Sequence, residues 1–230
     1  FPDLTLAAGT GDIQFDDAVG STAGLNIVTV ETVDTLTAAS TFDAYDFIQK
    51  AGGVLTQFDD NVTLSGVFDF TGQALTVNAT LDTGDAIDIT NAGTFTLASI
   101  GEVITVSSLT QDGAGTSSLG GDITADNGLS FVSAIDLTQN VLLDSSFAGG
   151  NITFDDTIDG AQTLTITAGG GNVSFNTDTS GPAPVTAHVG ATNALTELDI
   201  SAQNITLRDV STTGAQTYTA GGVIDTNSTY

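Results

Sequence analysis

The chain has 230 residues, with 28 acidic side chains against only Lys50 and Arg208, a formal net charge of −26. Nucleic acids and anionic membrane surfaces would be repelled rather than bound. There is no Cys, which removes disulfides and thiolate metal sites, and no apolar run exceeds three residues, far too short to span a bilayer.

Thr is the commonest residue at 39, Gly follows at 27, and 25 of the acids are Asp against three Glu. β-Branched residues favour strands, while Asp and Gly favour turns. The composition therefore predicts an all-β chain with its acids at the corners.

Along the chain, the first element is Leu4-Thr5-Leu6, followed by a Gly turn and Ile13-Gln14-Phe15. Residues 4–15 align without a gap to 164–175, and Leu25 to Val54 matches Leu195 to Val223 once an insertion around Gly181-Pro182-Ala183-Pro184 is allowed. A module is thus written at both ends of the chain. The stretch 42–50, though helix-like in composition, aligns with the strand region around Tyr218 and is expected to be extended.

Short alternating pairs follow: Phe68 with Phe70, Leu75 with Val77, Ile87 with Ile89, Phe95 with Leu97, and Ile104 with Val106. Each predicts a strand with one buried face. Toward the C-terminus, Asn151, Asn172 and Asn193 recur 21 residues apart, as do Phe154 and Phe175. That interval predicts a coil length and a right-handed parallel β-helix, a β-solenoid of roughly 20-residue coils running through 1–230 as one segment. Tandem β-sandwich domains are the alternative, since they also place short strands between regular turn signals. The start at Phe1 without Met and the end at Ser228-Thr229-Tyr230 read as a processed product or a piece of something longer.

Three corners share one phrase: Phe15-Asp16-Asp17, Phe58-Asp59-Asp60 and Phe154-Asp155-Asp156. Were they to stack, Asp16, Asp17, Asp59, Asp60, Asp155 and Asp156 would be candidate calcium ligands, because calcium takes about six to eight oxygens and suits Asp at turns. The plainer reading makes them solvated turn caps. Gly120-Gly121-Asp122 is only a fragment of a calcium-binding repeat. No other cofactor is expected.

Six Asn-x-Ser/Thr sequons begin at Asn61, Asn78, Asn151, Asn172, Asn204 and Asn227. The preferred reading is a turn Asn followed by a strand in which apolar and hydroxyl residues alternate. His188, the one histidine, lies beside the insertion with no nucleophile motif near it. Gly169-Gly170-Gly171 lacks the following Lys of a phosphate loop. Thr-x-Thr pairs such as Thr94/Thr96 and Thr163/Thr165/Thr167 suggest an ice-binding face, but their spacings are irregular and favour strand filler.

Residues 159–175 (Asp-Gly-Ala-Gln-Thr-Leu-Thr-Ile-Thr-Ala-Gly-Gly-Gly-Asn-Val-Ser-Phe) and 212–221 resemble repeats of large bacterial surface proteins of the filamentous-haemagglutinin-like group. The resemblance implies right-handed parallel β-helices, export to the cell surface, and roles as adhesins or fibrous material. The family's secretion domain is not visible in this sequence.

The expected function is accordingly that of a non-enzymatic, extracellular structural or adhesive segment of a bacterial cell-surface or fibre-forming protein. It would not insert in membranes and would self-associate end to end. One alternative is a calcium-dependent module binding a host or matrix glycan through residues 176–194 and the acidic corners. Another is a β-helical carbohydrate-active enzyme, for which Lys50 or Arg208 would have to be the base.

Overall fold

The computed structural model describes residues 1–20, 24–178, 185–186 and 188–226. The alternating segments form twenty-eight strands, and no helix occurs among the described residues. The stretch expected to be extended rather than helical is the strand Phe42–Gln49. Strands pair in parallel throughout, apart from Thr177–Asp178 against Val185–Thr186. Parallel partners need a long crossover, and here each crossover is the rest of one coil.

Most coils lay a strand on each of three sides, here called sheets: the second carries the column Phe15, Ala38, Phe58, Val77 and the third the column Phe42, Val62, Leu81, Val103, while Val19, Val189 and Val210 join them by isolated bridges. On the first sheet one inward column runs Leu4, Val28, Phe47, Phe68, Ile87, Leu109, Leu129, Ile152, Val173, Ile205, Ile224. Successive members are 19 to 24 residues apart, except for the 32 between Val173 and Ile205, where the insertion leaves the stack. The chain is therefore a β-solenoid of about 10 turns, not a pair of sandwiches. At about 4.8 Å per step the stack is roughly 50 Å long.

Two sequence expectations shift in detail. The aligned segments 4–15 and 164–175 do not occupy equivalent places: the former passes from the first sheet to the second, the latter from the third to the first. What repeats is a strand, a corner and a strand; the corner carries Gly in both aligned segments, whereas the coil at 28–46 turns without any Gly, two of its corners lying inside the continuous strands Leu25–Ala38 and Phe42–Gln49. The second shift concerns Ile104 and Val106. Val103 and Thr105 point inward instead, leaving Ile104 half-buried and Val106 exposed. Pairing of Val103 with Leu81 and Ile123 sets this register, and a one-residue slip would turn the Glu102 carboxylate inward.

The bore is filled by aliphatic and aromatic side chains. Phe15, Phe42, Phe47, Phe58 and Phe68 form one cluster with ring centroids 5.1 to 6.0 Å apart. Phe131, Phe154 and Phe175 stack in one column near the other end. Apart from Phe15, which begins its column and has a coil on one side only, these residues lie between neighbouring coils, so burial energy runs along the axis.

Polar residues also enter the bore, and all but the Ser117 hydroxyl, which is buried without a partner, sit where they can bond to one another or to backbone groups. Gln111, fully buried, donates through Nε2 to Asn91 Oδ1 (2.7 Å) and to the Gly113 and Gly115 carbonyls (3.1 Å each), while Ser133 N donates to its Oε1 (3.3 Å). Asn91 in turn donates to the Gly93 carbonyl at 2.7 Å. Thr56 Oγ1 donates to Gln49 Oε1 at 2.8 Å. Removing one partner leaves buried acceptors bare, at about 1–3 kcal/mol. Gln111→Ala is expected to destabilise the chain by that order, measured as a lowered urea midpoint, whereas an unchanged midpoint would mean that water replaces the amide.

Candidate functional site

The Phe-Asp-Asp corners are distributed around the solenoid. Phe15 and Phe58 end second-sheet strands and share the corner leading to the third sheet, but Ala38 lies between them in the column. Asp16 and Asp59 therefore stand two coils apart, roughly 10 Å along the axis. Phe154 ends a first-sheet strand, so Asp155 and Asp156 occupy a different corner several coils away. The six aspartates do not converge on one site. Among the described residues no group of three or more His, Asp or Glu side chains is placed to hold a metal ion.

Local bonds account for most of these carboxylates. Gln14 and Gln57 donate to Asp16 and Asp59, each at 2.6 Å, so the Gln-Phe-Asp phrase is the same small unit used twice. Asn78 donates to Asp59 from the next coil at 2.8 Å, and Asn176 to Asp155 at 2.7 Å. Asp60 and Asp156 accept from the next residue's backbone N–H, Asn61 at 2.8 Å and Thr157 at 2.6 Å. Asp17 is exposed at its corner. The turn-cap reading describes this geometry.

The sequons at 151, 172 and 204 form a ladder. Each Asn opens a first-sheet strand, Asn172 Nδ2 donates to Asn151 Oδ1 at 3.2 Å, and Asn204 Nδ2 donates to Asn172 Oδ1 at 2.7 Å. Their amides stitch coil to coil. Asn193 does not extend the ladder, because the insertion moves the equivalent place to Asn204; its backbone N–H instead donates to Asp159 Oδ1 at 3.0 Å. Phe154 and Phe175 do stack, as their 21-residue spacing predicts, with centroids 5.0 Å apart. Asn227 and most of the insertion around Gly181-Pro182-Ala183-Pro184 lie outside the described residues.

The basic residues stand far apart. Lys50 Nζ pairs with Glu31 Oε1 at 2.7 Å on the exposed surface, an interaction worth about 0–1 kcal/mol. Arg208 is half-buried at a corner near the opposite end. His188 Nδ1 lies 3.2 Å from Asp209 Oδ2, and the next residue, Val189, re-enters the second-sheet column against Ile158 and Val210. This pair thus marks where the insertion rejoins the stack. The threonine rows are short: Thr163, Thr165 and Thr167 face Glu197, Asp199 and Ser201, while Thr96 faces Thr76 on one neighbouring coil and Ser118 on the other.

Sequence reasoning missed the in-register acids. Asp69 faces Asp88 on the first sheet, Asp136 faces Asp159 on the second, and Glu102 faces Asp122 on the third. The last pair borders a cleft of about 450 Å³ lined by Ser99 to Glu102, Gly120 to Asp122, and Gln139 and Asn140. Glu102 and Asp122 are one coil length apart in sequence, a signal that becomes readable only once the coil boundaries are known.

Fold and surface together define a three-sided parallel β-solenoid whose outward Asn and Asp side chains bond largely between coils. No protein-family model, curated protein or solved structure matches the chain.

Proposed function

We propose that the chain is a non-enzymatic structural and adhesive segment of a bacterial cell-surface or fibre-forming protein, at work outside the cell. The observation that carries this reading is the unbroken bore: the hydrophobic core is one cluster that extends from Val19 to Leu207, with backbone pairing on three sides. Such a stack resists local opening because each coil is held by both neighbours. Outward side chains stitched between coils suit a spacer that must stay stiff in a changing medium. The density of negative charge discourages lateral association of its sheet edges. The likeness of residues 159–175 and 212–221 to filamentous-haemagglutinin-like repeats supports the same placement.

Protease shaving of intact producing cells tests it. Brief treatment with a broad-specificity protease is expected to release this segment as a large resistant fragment while a cytoplasmic marker stays intact. Release only after lysis would overturn the extracellular reading, and rapid digestion to small peptides would overturn the stiff-spacer reading.

A further inference from the structure

Midway along the stack, the corner between the second and third sheets opens into the 450 Å³ cleft, which spans three successive coils. We infer that this cleft binds an uncharged glycan. The inference rests on the adhesive reading above only for its choice of ligand class.

The recess exists because glycines stack at the corner. A Cβ on Gly121 would lie 1.8 Å from the Gly101 carbonyl oxygen, so the two backbones touch and the wall retreats there. Around the recess stand groups that the fold uses only in part. Ile100 is 83% exposed at the rim, an unusual place for a large aliphatic side chain in a wall of Ser, Gly and acids. Glu102 and Asp122 project side by side from adjacent coils, about 4.8 Å apart along the axis.

Backbone bonds pre-set the polar groups. Asp122 uses Oδ1 to accept from Leu142 N at 2.8 Å, which holds the carboxylate while its second oxygen remains an acceptor. Asn140 uses Oδ1 to accept from Thr163 N at 3.0 Å, so its amide N–H groups remain donors. The cleft therefore combines one fixed carboxylate acceptor, Asp122, with a second beside it, Glu102, an amide donor and one apolar side chain, Ile100. Neighbouring sugar hydroxyls donate to the carboxylates and accept from the Asn140 amide, and the C–H face of a pyranose packs on Ile100. Pre-set groups spare the ordering cost that weakens binding to flexible surfaces.

The size falls within the usual range of about 300–1,000 Å³ for ligand sites, but the lining is polar, which disfavours predominantly apolar ligands. The paired acids and the net charge of −26 disfavour uronic, sialylated or phosphorylated sugars. Among hydroxyl-rich ligands, uncharged oligosaccharides fit this lining, and three coils offer length for two or three sugar rings.

The test is calorimetric titration of the full chain with neutral oligosaccharides (lactose, cellotriose, maltotriose and N-acetylchitotriose), with and without EDTA. Saturable binding to at least one is expected, indifferent to EDTA. Glu102→Ala and Ile100→Ser should each weaken it about tenfold or more without lowering the thermal midpoint. Asp122→Asn is the companion variant, because it keeps the oxygen that holds Leu142. Absence of binding to all four sugars, binding that survives these substitutions, or binding that needs calcium would each overturn the inference. Failure here alongside successful protease release would remove the cleft's role and leave the surface reading standing.

Discussion

Phe154→Ala is expected to lower the stability of this chain by about 3–5 kcal/mol, the usual cost of deleting a buried aromatic ring and leaving its cavity. Phe154 is 1% exposed and lies between Phe131, at 6.0 Å, and Phe175, at 5.0 Å. The substitution therefore strips contacts from both neighbouring coils, and aromatic pairs add about 0.5–1.5 kcal/mol each beyond area burial. Because a solenoid is held by nearest-neighbour terms, the damage should also split the unfolding transition, with the coils beyond the gap melting first. Urea melts followed by circular dichroism would read both effects. Phe147→Ala, at a side chain 87% exposed, is the control and should fall within about 0.5 kcal/mol of the parent. Equal midpoints for the two variants would show that the aromatic column does not hold the stack.

Salt and mild acid should both stabilise the fold. Parallel pairing sets like charges opposite each other at Asp69/Asp88, Glu102/Asp122 and Asp136/Asp159, and two basic residues cannot neutralise 28 acids. Raising ionic strength from about 0.1 M to 1 M shortens the screening length from about 10 Å to about 3 Å, which removes most of the repulsion beyond adjacent coils. The melting midpoint should climb accordingly, and a flat response would show that the carboxylates are already neutralised by bound cations.

Asp88 gives the pH effect its sign. Burial, then the neighbouring carboxylates Asp69 and Asp112, push its pKa up. The folded chain thus binds this proton more tightly than the unfolded chain, so the contribution is fully present below the ordinary carboxylate pKa of about 3.9 and is lost as pH rises through the raised value. Between neutral pH and about pH 4 this group should make the protein more stable, not less. Asp88→Asn is expected to raise the midpoint at neutral pH and to flatten its dependence on acid. A variant with the parent's slope would assign the pH response to other groups.

The local half of this architecture was readable in the residues. Alternation at Phe68/Phe70, Ile87/Ile89 and Phe95/Leu97 marks inward positions, because a strand's side chains alternate with a period of two whatever its partner. The Gln-Phe-Asp phrases mark corners for an equally local reason, since Asp bonds within its own turn. The 21-residue spacing of Phe154 and Phe175 measures one coil. Elsewhere the same signals misled or said nothing. Ile104 and Val106 alternate as convincingly as Val103 and Thr105, and only pairing with Leu81 and Ile123 chooses between them. Gln111 and Asn91 are polar and yet line the bore, because each completes the other's hydrogen bonds.

The acidic phrase at 154–156 copies those at 15–17 and 58–60 but turns a different corner, since three similar sides can each use it. By itself, the sequence determined that the chain would form short strands with polar outer faces and acidic turns. Tertiary structure decided which coil position stacks on which, and therefore that Glu102 stands beside Asp122 at the edge of a recess. Parallel pairing joins backbones a whole coil apart through hydrogen bonds common to nearly every residue type, so the partner is chosen by packing of the entire stack and not by any local phrase.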